Sequence, residues 1–160
     1  MAPSLAVQTI SSVIAASTPL VFAGIGETLT EKAGVTNLSL DGTILLAAMT
    51  AFAVAYLSGS LLLGIVAAMV VGALVALIVA AGSIALKQNQ VAVGFVLTLL
   101  CADLSSFLGR PFVRIPGPSV PHRPIPGLAS LPVVGHILFN HNLLVYLSFV
   151  VILGAWLWMS

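Results

Sequence analysis

Charged side chains are nearly missing from this 160-residue sequence: 6% of its residues are Asp, Glu, Lys or Arg, against about a quarter in an ordinary soluble domain. A chain of this length folded in water still exposes much of its surface and needs polar side chains to cover it. With 60% of residues hydrophobic, the exterior is expected to face lipid instead, and a bilayer is the first partner implied. Five Lys and Arg stand against four Asp and Glu. That balance lacks the basic field that draws phosphate backbones and excludes nucleic acid as a partner. Cysteine is reduced to Cys101, which rules out an internal disulfide or a thiolate cluster and reads as a small buried hydrophobe.

Other absences narrow the chemistry. There is no Gly-rich phosphate loop followed by Lys and Ser or Thr, so this polypeptide does not bind ATP in that manner, and it is read as a non-enzyme. Glu27 and Glu31 belong to no hydrolase pattern. His122, His136 and His141 fit no zinc spacing, so neither metal nor cofactor is implied. Met1 to Ser12 contains no Lys or Arg, and Gln8, Thr9, Ser11 and Ser12 interrupt any short apolar core. This is unlike a cleaved leader, and the first hydrophobic segment is expected to be retained.

What the sequence does have is long apolar runs. A helix needs roughly 20 mostly apolar residues to cross about 30 Å of hydrocarbon. The segments 7–29, 43–57, 60–86, 91–107 and 143–159 approach or meet that length, which predicts an all-α, polytopic transmembrane helical bundle forming one membrane domain. Pro19 inside the first segment is expected to kink it. Only Ser58 and Gly59 separate the second and third, a tight helical hairpin. The third is uncharged and, at its length, tilted or projecting beyond the lipid. Gly64, Ala68, Gly72 and Ala76 recur in it every four residues and mark a face for close helix packing. Residues 108–132 hold seven prolines, from Pro111 to Pro132, and predict a Pro-rich external loop. Trp156 and Trp158 suit the membrane interface. Asp103, costly against lipid, is expected to face protein or water, pairing with Arg110 or serving a solute pathway.

The segment from Gly24 to Thr43 contains all but one of the acidic residues. Glu27 and Glu31 would share a helical face, Gly34 is placed to end that helix, and Ser39 or Asp41 to cap the next. The reading is helix, break, extended Val35 to Leu40, then a new helix: a broken helix near the N-terminus. Non-helical backbone at membrane depth survives only when buried in protein or lining a hydrated cavity, and broken helices are where transporters bind solutes. The alternative is a solvated interfacial loop. The turn Lys87-Gln88-Asn89-Gln90 likewise either offers hydrogen bonds to a solute or is merely solvated.

Thr18-Pro19-Leu20, Gly26-Glu27 and the run Glu31-Lys32-Ala33-Gly34-Val35-Thr36-Asn37-Leu38-Ser39-Leu40-Asp41-Gly42 together resemble the N-terminal signature of ABC-transporter permeases in the branched-chain amino acid and simple-sugar superfamily, most strongly its nucleoside and simple-sugar branch. The resemblance implies a permease subunit for a small polar solute in the bacterial inner (cytoplasmic) membrane. Its implied partners are a second permease subunit, cytoplasmic ATP-binding subunits and an extracytoplasmic solute-binding protein. Glu27, Asn37, Ser39, Asp41 and Asn89 are the candidate pathway residues. It also implies that the Pro-rich loop is extracytoplasmic, whereas a count of Arg110, Arg114 and Arg123 would place it in the cytoplasm. Family members run to about twice this length, and the segment that meets the ATPase would follow beyond Ser160. The chain therefore looks like the N-terminal half of a permease, or, as the alternative, a membrane scaffold that does not transport.

Overall fold

A computed structural model describes residues 4–121 and 134–159, without the side chains of residues 134, 136 and 159. His122, Arg123, the prolines from Pro124 to Pro132 and the ring of His136 lie outside the described residues. Every regular element among the described residues is helical: α1 Leu5–Lys32, α2 Leu40–Ser58, α3 Leu61–Ala80, α4 Gln90–Gly109, α5 Val134–Leu138 and α6 Leu143–Met159. Among the described residues four stretches are long and apolar enough to cross a membrane: Leu5–Lys32, Leu40–Ser58, Leu61–Ala85 and Gln90–Phe112. The protein is thus a polytopic all-helical membrane chain. Helix α6 is a shorter apolar helix.

The described residues form two compact units, one of Met1–Thr28 with Val120–Ser160, the other Leu29–Ser119. In the first, Val7 and Thr18 of α1 are buried, as are His141, Val145 and Ser148. The backbone N–H of His141 donates to the Tyr146 hydroxyl at 3.0 Å, and its ring Nε2 lies 2.8 Å from the carbonyl of Ile137. These bonds tie the start of α6 to the end of α5 and give that histidine a local structural role.

In the second unit α2 touches both α3 and α4. The α2–α3 turn is closed by Gly59 in the left-handed region, φ +67°, a conformation glycine adopts without a Cβ penalty. Ser60 caps α3 by accepting from the Leu63 N–H. A Cβ added to Gly64 would lie 2.6 Å from the Ala51 carbonyl oxygen and 2.8 Å from the Ala55 methyl, so this glycine lets α3 approach α2 directly. A Cβ added to Gly72 would meet nothing within 4 Å among the described residues; of the two glycines of the stripe, Gly64 makes the tight contact. Gly64→Ile is expected to destabilise the chain by about 1–3 kcal/mol through overpacking, while Gly72→Ile stays close to the parent. Thermal denaturation in detergent reads the difference.

Helices α2 and α4 run parallel, since successive contacts climb both chains together. Gly94 faces Leu38, Gly42 faces Thr98, and Gly109 faces Met49. The Ser105 hydroxyl donates to the Leu45 carbonyl at 3.0 Å, and the Thr98 hydroxyl donates to that of Leu38. Alternating steps of four and three along α2 are the spacing of left-handed supercoiled helices. The apolar core beside this seam holds Leu46, Val75, Val79, Leu97 and Cys101. Most large apolar side chains elsewhere stay exposed, including Leu62, Leu74 and Leu77 on α3, which suits a lipid surround. At the far end of α2, Phe52 and Tyr56 stack and Phe112 meets both edge-on, 6.1 and 6.2 Å away. Arg110 sets its guanidinium over Phe107 at 5.7 Å.

Candidate functional site

Helix α1 stops because Gly34 turns left-handed, φ +75°. The Gly34 N–H then bonds the Glu31 carbonyl and the Val35 N–H that of Thr30, each at 2.9 Å, which closes the helix end in the Schellman pattern. Val35 to Asn37 follow without regular structure, and Leu38 and Ser39 form a turn before α2 starts at Leu40. The extended stretch is therefore shorter than the Val35 to Leu40 read from the sequence.

Ser39 occupies the N-cap position of α2 without capping it through its side chain. Its hydroxyl instead donates to Asn37 Oδ1 at 2.6 Å, and its N–H to the same oxygen at 3.1 Å. Asn37 so braces the turn, and Ser39 is 1% exposed. Two acceptances fix the Asn37 carbonyl oxygen inward and leave its NH2 group as donor. Asp41, in the first turn of α2, is exposed; there its charge opposes the positive end of the helix dipole.

Beyond α3 the backbone widens into a π-helical turn, Ala81–Ala85. The Leu86 N–H reaches back to the Ala81 carbonyl and the Gln88 N–H to that of Gly82, each at 3.0 Å. The Ser83 hydroxyl donates to the Val79 carbonyl at 2.8 Å. Such single turns are uncommon and concentrate at functional sites. Lys87 then takes a left-handed φ of +52°, and Asn89 caps α4 through Oδ1, which accepts from Val91 and Ala92 N–H groups at 3.0 and 3.3 Å. Asn89 therefore has a structural partner of its own. Asn89→Ala is expected to cost about 0.5–2 kcal/mol, seen as a lower melting temperature that Asn89→Asp largely restores.

Between the 33–39 connection and the π turn lies a cavity of about 320 Å³, lined by Thr30, Val35, Asn37, Ala76, Val79, Ala80, Ser83, Ile84 and Gln90. Of the residues singled out in the sequence, Val35, Asn37, Ala76 and Gln90 border it. Ser39 stands behind Asn37, while Asp41 and Asn89 are not among the lining residues. Glu27 is half-buried on α1, in the first unit, and Glu31 is exposed. Sequence reasoning missed Ser83, Thr98 and Ser105. Thr98 and Ser105 each bond a carbonyl 60 residues away, a pairing that no local pattern announces.

The family model described as branched-chain amino acid transport system / permease component matches residues 9–160. The chain belongs to this family. Among relatives, the Haloferax volcanii protein TsgC13, provisionally named a glucose ABC transporter permease protein, is 34% identical over 157 residues, 96% of this chain and 48% of its own length. The guanosine ABC transporter permease protein NupQ of Bacillus subtilis is 30% identical, over 84% of this chain and 47% of its own. The nucleoside ABC transporter permease protein NupC of Lactococcus lactis is 28% identical, over 92% and 50%. The chain thus spans about half the length of the curated relatives it matches. No solved structure matches it significantly.

Proposed function

We infer that this chain forms half of the membrane passage of an ABC importer for a small polar solute, a nucleoside or simple sugar, in the bacterial cytoplasmic membrane. The observation that carries the reading is the family match over residues 9–160, which covers three of the four candidate spans in full, all but the first four residues of Leu5–Lys32, and the 33–39 connection. In this reading the permease draws on separate ATP-binding subunits, as the family's description as a transport-system permease component suggests. A second permease subunit and an extracytoplasmic solute-binding protein complete the assembly. Within this reading Asn37 is the pathway residue best supported, because it borders a cavity with a donor free to point outward. Ser39, Asp41 and Asn89 act around it through helix ends and the turn, and Glu27 on α1 is kept as a pathway candidate of the resemblance.

Proteoliposomes holding the complete transporter test this directly. ATP-dependent accumulation of labelled guanosine or glucose, lost when the ATP-binding subunits are left out, is the expected result. Accumulation of neither solute above protein-free vesicles overturns the assignment and favours a scaffold.

A further inference from the structure

We propose that the cavity between the 33–39 connection and the π-helical end of α3 is a subsite for an uncharged, hydroxyl-bearing ring, with Asn37, Ser83 and Gln90 as its specificity-determining side chains. This inference rests on the transport reading and names the site where such a solute is sorted from charged ones.

Three features carry it. The first is the complete lack of charge in the lining, which pairs four neutral hydrogen-bonding residues, Thr30, Asn37, Ser83 and Gln90, with the apolar Val35, Ala76, Val79, Ala80 and Ile84. A carboxylate or ammonium entering this space would shed water and find no counter-charge. A sugar ring would set its C–H face on the alanines and its hydroxyls on the polar rim. At about 320 Å³ the space is at the small end of the range for ligand cavities, roughly 300–1,000 Å³.

The second is how the polar groups are already committed. Asn37 spends its oxygen on Ser39 and retains two N–H donors; Ser83 spends its proton on the Val79 carbonyl and retains acceptor lone pairs. Gln90, half-buried at the first residue of α4, brings a donor and an acceptor in one amide. Donors and acceptors are thus interleaved, and hydroxyl groups, which do both, are the ligand groups that satisfy such a mixture. A site of this type rejects analogues lacking the hydroxyls, because its own polar groups would then be buried without partners.

The third is the π turn itself. It places Ser83 and Ile84 in the wall by adding a residue to the helical repeat, and Gly82 within it packs against Val93, 3.0 Å from an added Cβ to Cγ1. The turn is held by α4 and so shapes the cavity without being free to close.

Occupancy is read by thiol protection in the complete transporter. Ala76→Cys is labelled with a water-soluble maleimide, against the background of buried Cys101, alone and with millimolar guanosine, glucose, ribose or glutamate. At least one of the three neutral solutes is expected to slow labelling fivefold or more, glutamate to leave it unchanged, and Gln90→Leu to remove the protection. Equal labelling rates with all four solutes, or protection by glutamate, overturns the proposal. ATP-dependent uptake without protection would sink the subsite and keep the transport reading; protection without uptake would do the reverse.

Discussion

Gly42→Val is expected to abolish accumulation of the folded chain. A Cβ at Gly42 would stand 2.6 Å from Thr98 Cα and 2.9 Å from the Thr98 carbonyl carbon. Both are backbone atoms of α4, so no side chain can swing aside. Overpacking of a tight contact typically costs about 1–3 kcal/mol, and occasionally more; here the clash is with backbone and sits at the centre of the α2–α4 seam. Pushing the helices apart also breaks the bonds from Thr98 to the Leu38 carbonyl and from Ser105 to the Leu45 carbonyl. Those bonds saturate carbonyls where no water is at hand. Gly42→Ala should already lower the melting temperature, and Gly42→Val should leave only aggregated material in fluorescence-detected size-exclusion chromatography. A monodisperse Gly42→Val peak of parental height would show that α2 and α4 do not cross there.

The second large effect is expected at Ala48→Arg, near the middle of α2. An arginine at the centre of a membrane helix costs about 2.5–3.5 kcal/mol on insertion scales, which is on the order of a hundredfold in an equilibrium. Helix α2 has little to set against it, with 19 residues, a mean hydropathy of 1.7 and Asp41 in its first turn. Helix α3 offers the internal comparison. Its span has a mean hydropathy of 3.0, and Leu74→Arg on its exposed face should insert far more completely at the same formal cost. A tag in the Ser58–Gly59–Ser60 turn, probed with an impermeant reagent, reports both outcomes. Equal topology for Ala48→Arg and the parent would mean that α2 does not lie in hydrocarbon.

These two cases show what was legible in the sequence. The spans could be read because lipid solubility is a property of composition, summed over some 20 residues without regard to partners. The end of α1 could be read because only Gly34 supplies a left-handed residue there without strain. The resemblance likewise drew attention to Asp41-Gly42, but the reason for that glycine lies in Thr98, a partner distant in sequence. Ser39 looked like a cap and became the partner of Asn37, since whether its hydroxyl accepts from the helix N–H groups or donates to a neighbouring side chain depends on backbone angles that sequence leaves open. Asn89 shows the converse: a polar residue in a turn, read as a solute contact or a solvated group, also caps its own helix N-terminus through Oδ1. The π turn had no sequence signature at all. Leu61–Ala85 is apolar except for Ser83, and its π turn lies where Gly82 packs on Val93 of α4, outside its own local pattern.

The most direct measurement of the central claim, that these helices present their bare apolar faces to lipid, is collisional power-saturation EPR on the protein in bilayers. A spin label at Leu74, 54% exposed within the chain, should collide freely with oxygen and scarcely with a water-soluble nickel chelate, while one at Lys87, beyond the π turn, shows the opposite preference. Nickel collisions at Leu74 as frequent as at Lys87 would contradict the account.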